Sequence, residues 1–189
     1  MKTDTDRLKF LKVAFRDYKV GAWSPSSRFL VRRVLRYVGG DRKVVIECGP
    51  GEGVMTRAIL DKIAPDGVLI VIEPNLQFVE ILKKIPDARL RVIQGTAEQV
   101  LGNWKAHHIP EADLILSSIP FSFLKPQARE AFVVLMRDRL EEGGVCIVFH
   151  QYYPLAKKVL EKVFKRAVVT YEWRNFLPCF VFVAKKGDG

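Results

Sequence analysis

The stretch from Val44 to Glu73 constrains the fold more than any other part of the chain. Lys43–Cys48 is an apolar run rich in β-branched residues, and the glycine-rich segment Glu47-Cys48-Gly49-Pro50-Gly51-Glu52-Gly53 closes it. Gly53–Ala64 then shows helical periodicity, and Val68–Glu73 is a second apolar run ending on an acid. Strand, tight turn, helix and strand make one βαβ unit, whose two strands must run parallel.

The alternation continues downstream. The spacing predicts a helix over Asn75–Ile85, a strand over Leu90–Gln94, a short helix from Ala97 and a strand over Ala112–Ser117. A helix opened by Pro126 runs to Leu140, a strand covers Val145–Phe149, and a helix covers Pro154–Phe164. Ala167–Trp173 and Cys179–Lys185 are separated only by Arg174–Pro178, too short for a helical crossover, so they form an antiparallel hairpin. The predicted fold class is α/β, a Rossmann-like sheet of seven strands with a terminal antiparallel hairpin, preceded by N-terminal helices. Residues 5–19 carry Leu8, Leu11, Phe15 and Tyr18 at helical spacing, with Lys9, Lys12, Arg16 and Lys19 in a parallel stripe. Ser24 and Pro25 suit the N-cap and first position of a second helix reaching about Val38, where Gly39-Gly40 ends it. The expected division is an arm over residues 1–40 and a sheet domain over 41–189.

The 189-residue length suits that single sheet, and no apolar run approaches the roughly 20 residues of a membrane span. A secretory leader pattern is also missing, so a cytoplasmic location is expected. Cys48, Cys146 and Cys179 each sit in an apolar run and are read as buried thiols, while His107, His108 and His150 offer no metal motif. Net charge is +10, unevenly spread: residues 1–40 hold ten basic and three acidic groups, and residues 41–189 hold 21 and 18. A strongly basic arm on a nearly balanced body points to an anionic partner, either a membrane surface or a nucleic acid.

The glycine turn carries the chemistry. Glycines between a strand and a helix let a ligand lie against the backbone, and the helix start favours a negative group. A dinucleotide fingerprint, G-x-G-x-x-G from Gly49, would put its third glycine at position 54, which is Val54; the spacing here is G-x-G-x-G. Glu47 places a carboxylate at the strand end for a ligand ammonium. Glu73, twenty residues past Gly53, can accept from both hydroxyls of a ribose. The run resembles the class I S-adenosylmethionine-dependent methyltransferases, with their E/D-x-G-x-G-x-G motif and an acid ending the next strand. The resemblance implies S-adenosylmethionine as cofactor and contacts from Glu47, Gly49, Gly51, Gly53, Glu73, Pro74, Thr96, Ala97 and Ser117. Thr96 stands where the family usually has an adenine-binding Asp.

Methyl transfer asks for position and an unprotonated nucleophile. Ser117–Phe123 after the fourth strand, His150–Pro154 after the fifth and the N-terminal arm through Trp23–Ser27 reach the strand ends. Ser118-Ile119-Pro120-Phe121 is similar to the N-L/I-P-Y/F motif of ribosomal RNA adenine dimethyltransferases, with the amide lost and the aromatic kept. Those enzymes continue into a helical RNA-binding domain, and this sequence stops at Gly189. Val20-Gly21-Ala22-Trp23-Ser24-Pro25-Ser26-Ser27-Arg28, Glu47-Cys48-Gly49-Pro50-Gly51 and Ser117-Ser118-Ile119-Pro120 more closely resemble the bacterial phospholipid N-methyltransferases. That resemblance implies a peripheral enzyme at the inner membrane face, methylating phosphatidylethanolamine-type amines towards phosphatidylcholine. It implies acceptor-site roles for Ser118, Pro120, Phe121, Tyr152 and Tyr153. Aromatic rings (Phe121, Phe123, Tyr152, Tyr153) would cage the growing ammonium. Core packing is the alternative for Phe121 and Phe123, and a structural hydrogen bond rather than a proton relay the alternative for His150. An RNA adenine methyltransferase and a cofactor-binding protein without turnover remain the competing functions.

Overall fold

The computed structural model describes residues 26–151, 153–175 and 177–187, and for Phe123, Tyr153 and Pro154 the backbone alone. The helix expected over 5–19, the Ser24–Pro25 start and Tyr152 lie outside the described residues. In chain order the elements are α1 (Arg28–Val34), β1 (Val44–Cys48), α2 (Val54–Leu60), β2 (Val68–Glu73), α3 (Leu76–Leu82), β3 (Leu90–Gln94) and α4 (Ala97–Gly102). Then come β4 (Ala112–Ser117), a 3-10 turn (Phe121–Phe123), α5 (Pro126–Arg139), β5 (Leu140–His150), α6 (Tyr153–Phe164), β6 (Val168–Glu172) and β7 (Cys179–Lys185).

The strands form one sheet in the order β3-β2-β1-β4-β5-β7-β6. Every pair from β3 to β5 is parallel, and β7 lies antiparallel to both β5 and β6. The expected seven strands and terminal hairpin are therefore present. The order runs outward from β1 in both directions, so the crevice between β1 and β4 is the switch point where ligands bind in open α/β sheets.

Successive strand residues face opposite sides, and the two sides build two cores. Ile46, Ile70, Ile115 and Val148 pack with α4, α5 and α6 through Leu101, Phe132, Met136 and Leu160. Val45, Leu69, Leu114 and Ile147 pack with α1, α2 and α3 through Leu30, Val34, Ile59 and Leu82. Burial on both faces explains why these strands read as continuous apolar runs. All three cysteines are buried and free, as expected. Among the described residues, no helix is long and apolar enough to cross a membrane.

Element boundaries differ from the sequence expectation in places: α1, for example, ends at Val34 rather than about Val38. The cap of the helix at Arg28 is Ser27, whose hydroxyl accepts from the Leu30 N–H at 3.3 Å. The Ser27 N–H is itself held by Asn175 Oδ1 at 2.9 Å, a partner from the opposite end of the chain. β5 begins at Leu140 instead of Val145, pairing with Ala112 before a register shift. Gly144 permits that early start: a Cβ there would lie 2.9 Å from the Glu141 carbonyl oxygen and 3.1 Å from that of Ala112.

Candidate active site

Gly49, Gly51 and Gly53 all have left-handed backbone, with φ of 78°, 56° and 80°. Their surroundings give them different duties. A Cβ on Gly49 would come within 3.1 Å of Ile119 Cγ1 and 3.2 Å of Ser118 Oγ, and one on Gly53 within 2.8 Å of Leu82 Cδ2. Those two positions are closed by the protein's own packing. A Cβ on Gly51 would meet nothing within 4 Å. The turn thus leaves an open space above Gly51, where a ligand can lie on the backbone.

Two buried acids frame that space. Glu47 and Glu73 are each 1% exposed. The Thr56 hydroxyl, from the first turn of α2, donates to Glu47 Oε2 at 2.6 Å. Burial raises the Glu47 carboxyl to about 7; the Thr56 bond opposes the rise and the nearby Glu73 charge adds to it. Glu73 accepts from the Gly51 N–H at 3.2 Å through Oε2 and from the Asn75 N–H at 2.9 Å through Oε1. Burial raises its pKa also, and those two backbone bonds restrain the shift. Each Glu73 oxygen keeps a lone pair beyond its backbone bond, which two vicinal hydroxyls could use. Pro74, at the end of β2, is half-buried beside it.

The Thr96 hydroxyl caps α4, accepting from the Gln99 N–H at 3.3 Å. Ala97 is buried with its methyl in the core, leaving its backbone as the group available to a ligand. Glu98, in the first turn of α4, lies near enough to push the Cys48 thiol upward, after the larger effect of burial. This half-buried carboxylate beside the glycine turn was not among the expected site residues. Leu76 was also missed; it is 60% exposed at the start of α3, three residues past Glu73. Thr56 is a third, and its position three residues past Gly53 was the available signal.

The acceptor loop is fastened to the glycine turn. The Ser118 N–H donates to the Cys48 carbonyl at 3.1 Å, and the Ser118 hydroxyl donates to the Gly49 carbonyl. Ser117, fully buried, accepts from the Ile119 N–H at 3.3 Å. Pro120 is half-buried and starts the 3-10 turn. The structure thus sets Ser117 level with Cys48 and Ser118 against Gly49, with Pro120 two residues further on.

Phe121 is elsewhere. Its ring is 0% exposed, 5.4 Å from the His150 ring in a stack and edge-on to Phe132 at 6.3 Å. It is a core residue, so the cage role expected of it is corrected to packing. The Phe121 carbonyl accepts from Arg129 Nε at 2.6 Å, and its ring lies in the core among Phe132 and His150. His150 is 6% exposed between Phe121 and Phe182. Burial, with Arg129 adding, lowers its pKa to about 4, so it is neutral at physiological pH. Tyr152 and the side chain of Tyr153 lie outside the described residues.

The strand order, the glycine turn open above Gly51 and the paired acids match the pattern of the class I S-adenosylmethionine-dependent methyltransferases. No protein-family model matches the sequence. The chain is similar to the ornithine lipid N-methyltransferase of Singulisphaera acidiphila, at 25% identity over 88% of both chains. It is 28% identical to a probable ribosomal RNA small subunit methyltransferase A of Methanospirillum hungatei, over 51% of this chain and 36% of that one. Among solved structures, precorrin-6y C5,15-methyltransferase of Geobacter metallireducens superposes with a TM-score of 0.67 at 14% identity, covering 87% of this chain and 94% of that one.

Proposed function

We propose that this enzyme methylates the amine of a phosphatidylethanolamine-type phospholipid at an anionic membrane surface. The observation that carries the reading is the Ser118 hydroxyl. Its single proton is given to the Gly49 carbonyl, so the oxygen is turned into an acceptor at the lip of the glycine turn. An amine N–H can donate to it, which aims the nitrogen lone pair across the turn. An acceptor with neither an N–H nor an O–H has nothing to offer that oxygen.

S-adenosylmethionine, when bound, supplies a methyl group activated on a sulfonium sulfur. Glu47 would pair with the ammonium of its methionine portion, a charge that would favour its ionised form. Glu73 would hold the ribose hydroxyls, and Leu76 offers an apolar surface to the adenine ring. The Ala97 and Glu98 N–H groups at the start of α4 and the Glu98 carboxylate can meet the ring's polar edge. The nucleophile must be the neutral amine, so the ammonium proton is lost to water before the displacement, and the methylated nitrogen sheds a further proton afterwards. His150 is buried and stacked on both faces, which suits it to shaping the pocket floor rather than carrying that proton.

A lipid acceptor is supported by the basic N-terminal arm and by the ornithine lipid enzyme, whose similarity spans nearly the whole chain where the ribosomal RNA relatives match about half. The test supplies radiolabelled S-adenosylmethionine with phosphatidylethanolamine vesicles, ornithine-lipid vesicles or ribosomal RNA. Label in the phosphatidylethanolamine arm is expected. Label in ornithine lipid alone would move the substrate, and label in RNA alone would replace the reading.

A further inference from the structure

Register places the β6–β7 turn at the same edge of the sheet as the acceptor loop. Ser117 is level with Val148, Val148 with Phe182 and Phe182 with Val169. Trp173 follows Val169 by four residues, so the turn projects on the order of 13 Å past the end of β4, at about 3.3 Å per strand residue. Its exposure is unusual: Trp173 is 68% and Leu177 40% exposed, although both are apolar.

Cations surround this tip. The Arg174 guanidinium lies 4.2 Å from the Phe29 ring centre and 5.9 Å from that of Trp173, and Arg28 covers Phe29 at 4.9 Å. The acid at the base of the turn, Glu172, is fully buried and bonded by both Arg33 and Arg174. The surface therefore shows apolar Trp173 and Leu177 beside an excess of positive charge. The Asn175 side chain ties the turn to the start of α1: its oxygen receives the Ser27 N–H at 2.9 Å and its amide donates to the Leu177 carbonyl at 2.9 Å. An exposed tryptophan and leucine held in fixed register next to arginines match the boundary of an anionic bilayer, where indole rings sit among headgroups and arginines meet phosphates.

We propose that the β6–β7 turn is a second membrane-docking element, separate from the N-terminal arm. It inserts Trp173 and Leu177 at headgroup depth and sets the acceptor edge towards the lipid amines. The inference rests on the phospholipid reading for its purpose but not for its test.

The test compares the full-length protein with the double variant Trp173→Ala, Leu177→Ala, both sites being exposed and outside the catalytic machinery. Co-sedimentation with vesicles of phosphatidylethanolamine and phosphatidylglycerol is expected to weaken about tenfold, the size that loss of two partly inserted apolar side chains predicts. Methylation of a short-chain, monomeric phosphatidylethanolamine should be unchanged. Vesicle binding equal to the unmodified protein overturns the inference, as does preserved vesicle binding with lost ribosomal RNA binding. If the unmodified protein binds vesicles through this tip yet methylates no lipid, the docking inference stands and the function reading falls.

Discussion

Glu47 is a carboxylate kept where a carboxylate is costly. Buried and raised to about 7, it favours the folded chain most when protonated. That stabilising contribution is complete below its unfolded value near 4.5 and disappears as pH rises through 7. Glu47→Gln, which keeps a group able to accept from Thr56, is expected to raise the melting temperature of the ligand-free protein at pH 8. The difference should shrink to nothing near pH 5, and is worth up to about 3 kcal/mol by linkage. The same variant should lose S-adenosylmethionine affinity, because the ligand ammonium loses its counter-charge. In the unmodified protein the dissociation constant should rise as pH drops below 7, by up to about tenfold per unit. Calorimetric titration against thermal melts, across pH, checks both signs; a melting temperature that falls at pH 8 would show Glu47 to be structural. The glycines separate in the same way. Gly53→Ala faces Leu82 Cδ2 at 2.8 Å on top of a left-handed backbone, and should cost stability by about 1–2 kcal/mol. Gly51→Ala shares the backbone strain but has open space, so its larger effect should fall on ligand affinity. Denaturant midpoints beside binding constants distinguish them. The motif was legible from spacing alone; which glycine serves packing and which faces the ligand was not, because Leu82 and Ile119 come from other elements.

At the scale of elements, the hairpin and α1 are tied by a buried acid. Glu172 has no solvent exposure and bonds Arg174 Nε at 2.8 Å and Arg33 Nε at 3.0 Å. The Arg174 bond foremost, with help from Arg33, holds its carboxyl down at about 2. A depressed carboxyl adds stability above its unfolded value near 4.5, and that stability is lost as pH falls towards 2. Glu172→Gln should destabilise the protein by roughly 2–4 kcal/mol at neutral pH, below the fully buried case because Arg174 is 41% exposed. The penalty should shrink in acid. Chemical denaturation at pH 7 and pH 3.5 reads it, and equal penalties at the two pH values would count against the ion-pair account. Sequence periodicity was sufficient for strands and their hairpin, since strands buried on both faces are apolar throughout. It did not locate this latch. A lone acid closing an apolar strand, two residues before an arginine, was the visible clue, yet Arg33 lies far away in the chain. The Ser27 cap was illegible for the same reason: the Asn175 that holds it lies at the other end of the chain. Phe121 likewise looked like an acceptor-loop aromatic until β5 and β7 supplied His150 and Phe182 to stack with it.

For the whole molecule, the question is how a nearly balanced sheet domain finds an anionic surface. Every group assigned to the cofactor lies between Glu47 and Ser118, and the hydrogen bonds of Glu47, Glu73 and Ser118 run within that span. Residues 1–20 carry six basic and three acidic groups, a net +3 that the sheet domain does not replace. At about 1 kcal/mol for each basic charge near an anionic surface, their removal should weaken vesicle binding by about 3 kcal/mol, roughly a hundredfold. The expected result for a protein lacking residues 1–20 is that loss on phosphatidylglycerol vesicles at low salt, with S-adenosylmethionine affinity kept. Raising salt to about 1 M shortens the screening length to roughly 3 Å and should bring the full-length protein towards the truncated one. What survives both truncation and salt is the apolar part of binding, which the Trp173–Leu177 tip should carry. A truncated protein that sediments as well as the full chain would place the arm against its own domain, and would leave the turn beside the acceptor edge as the principal route to the membrane.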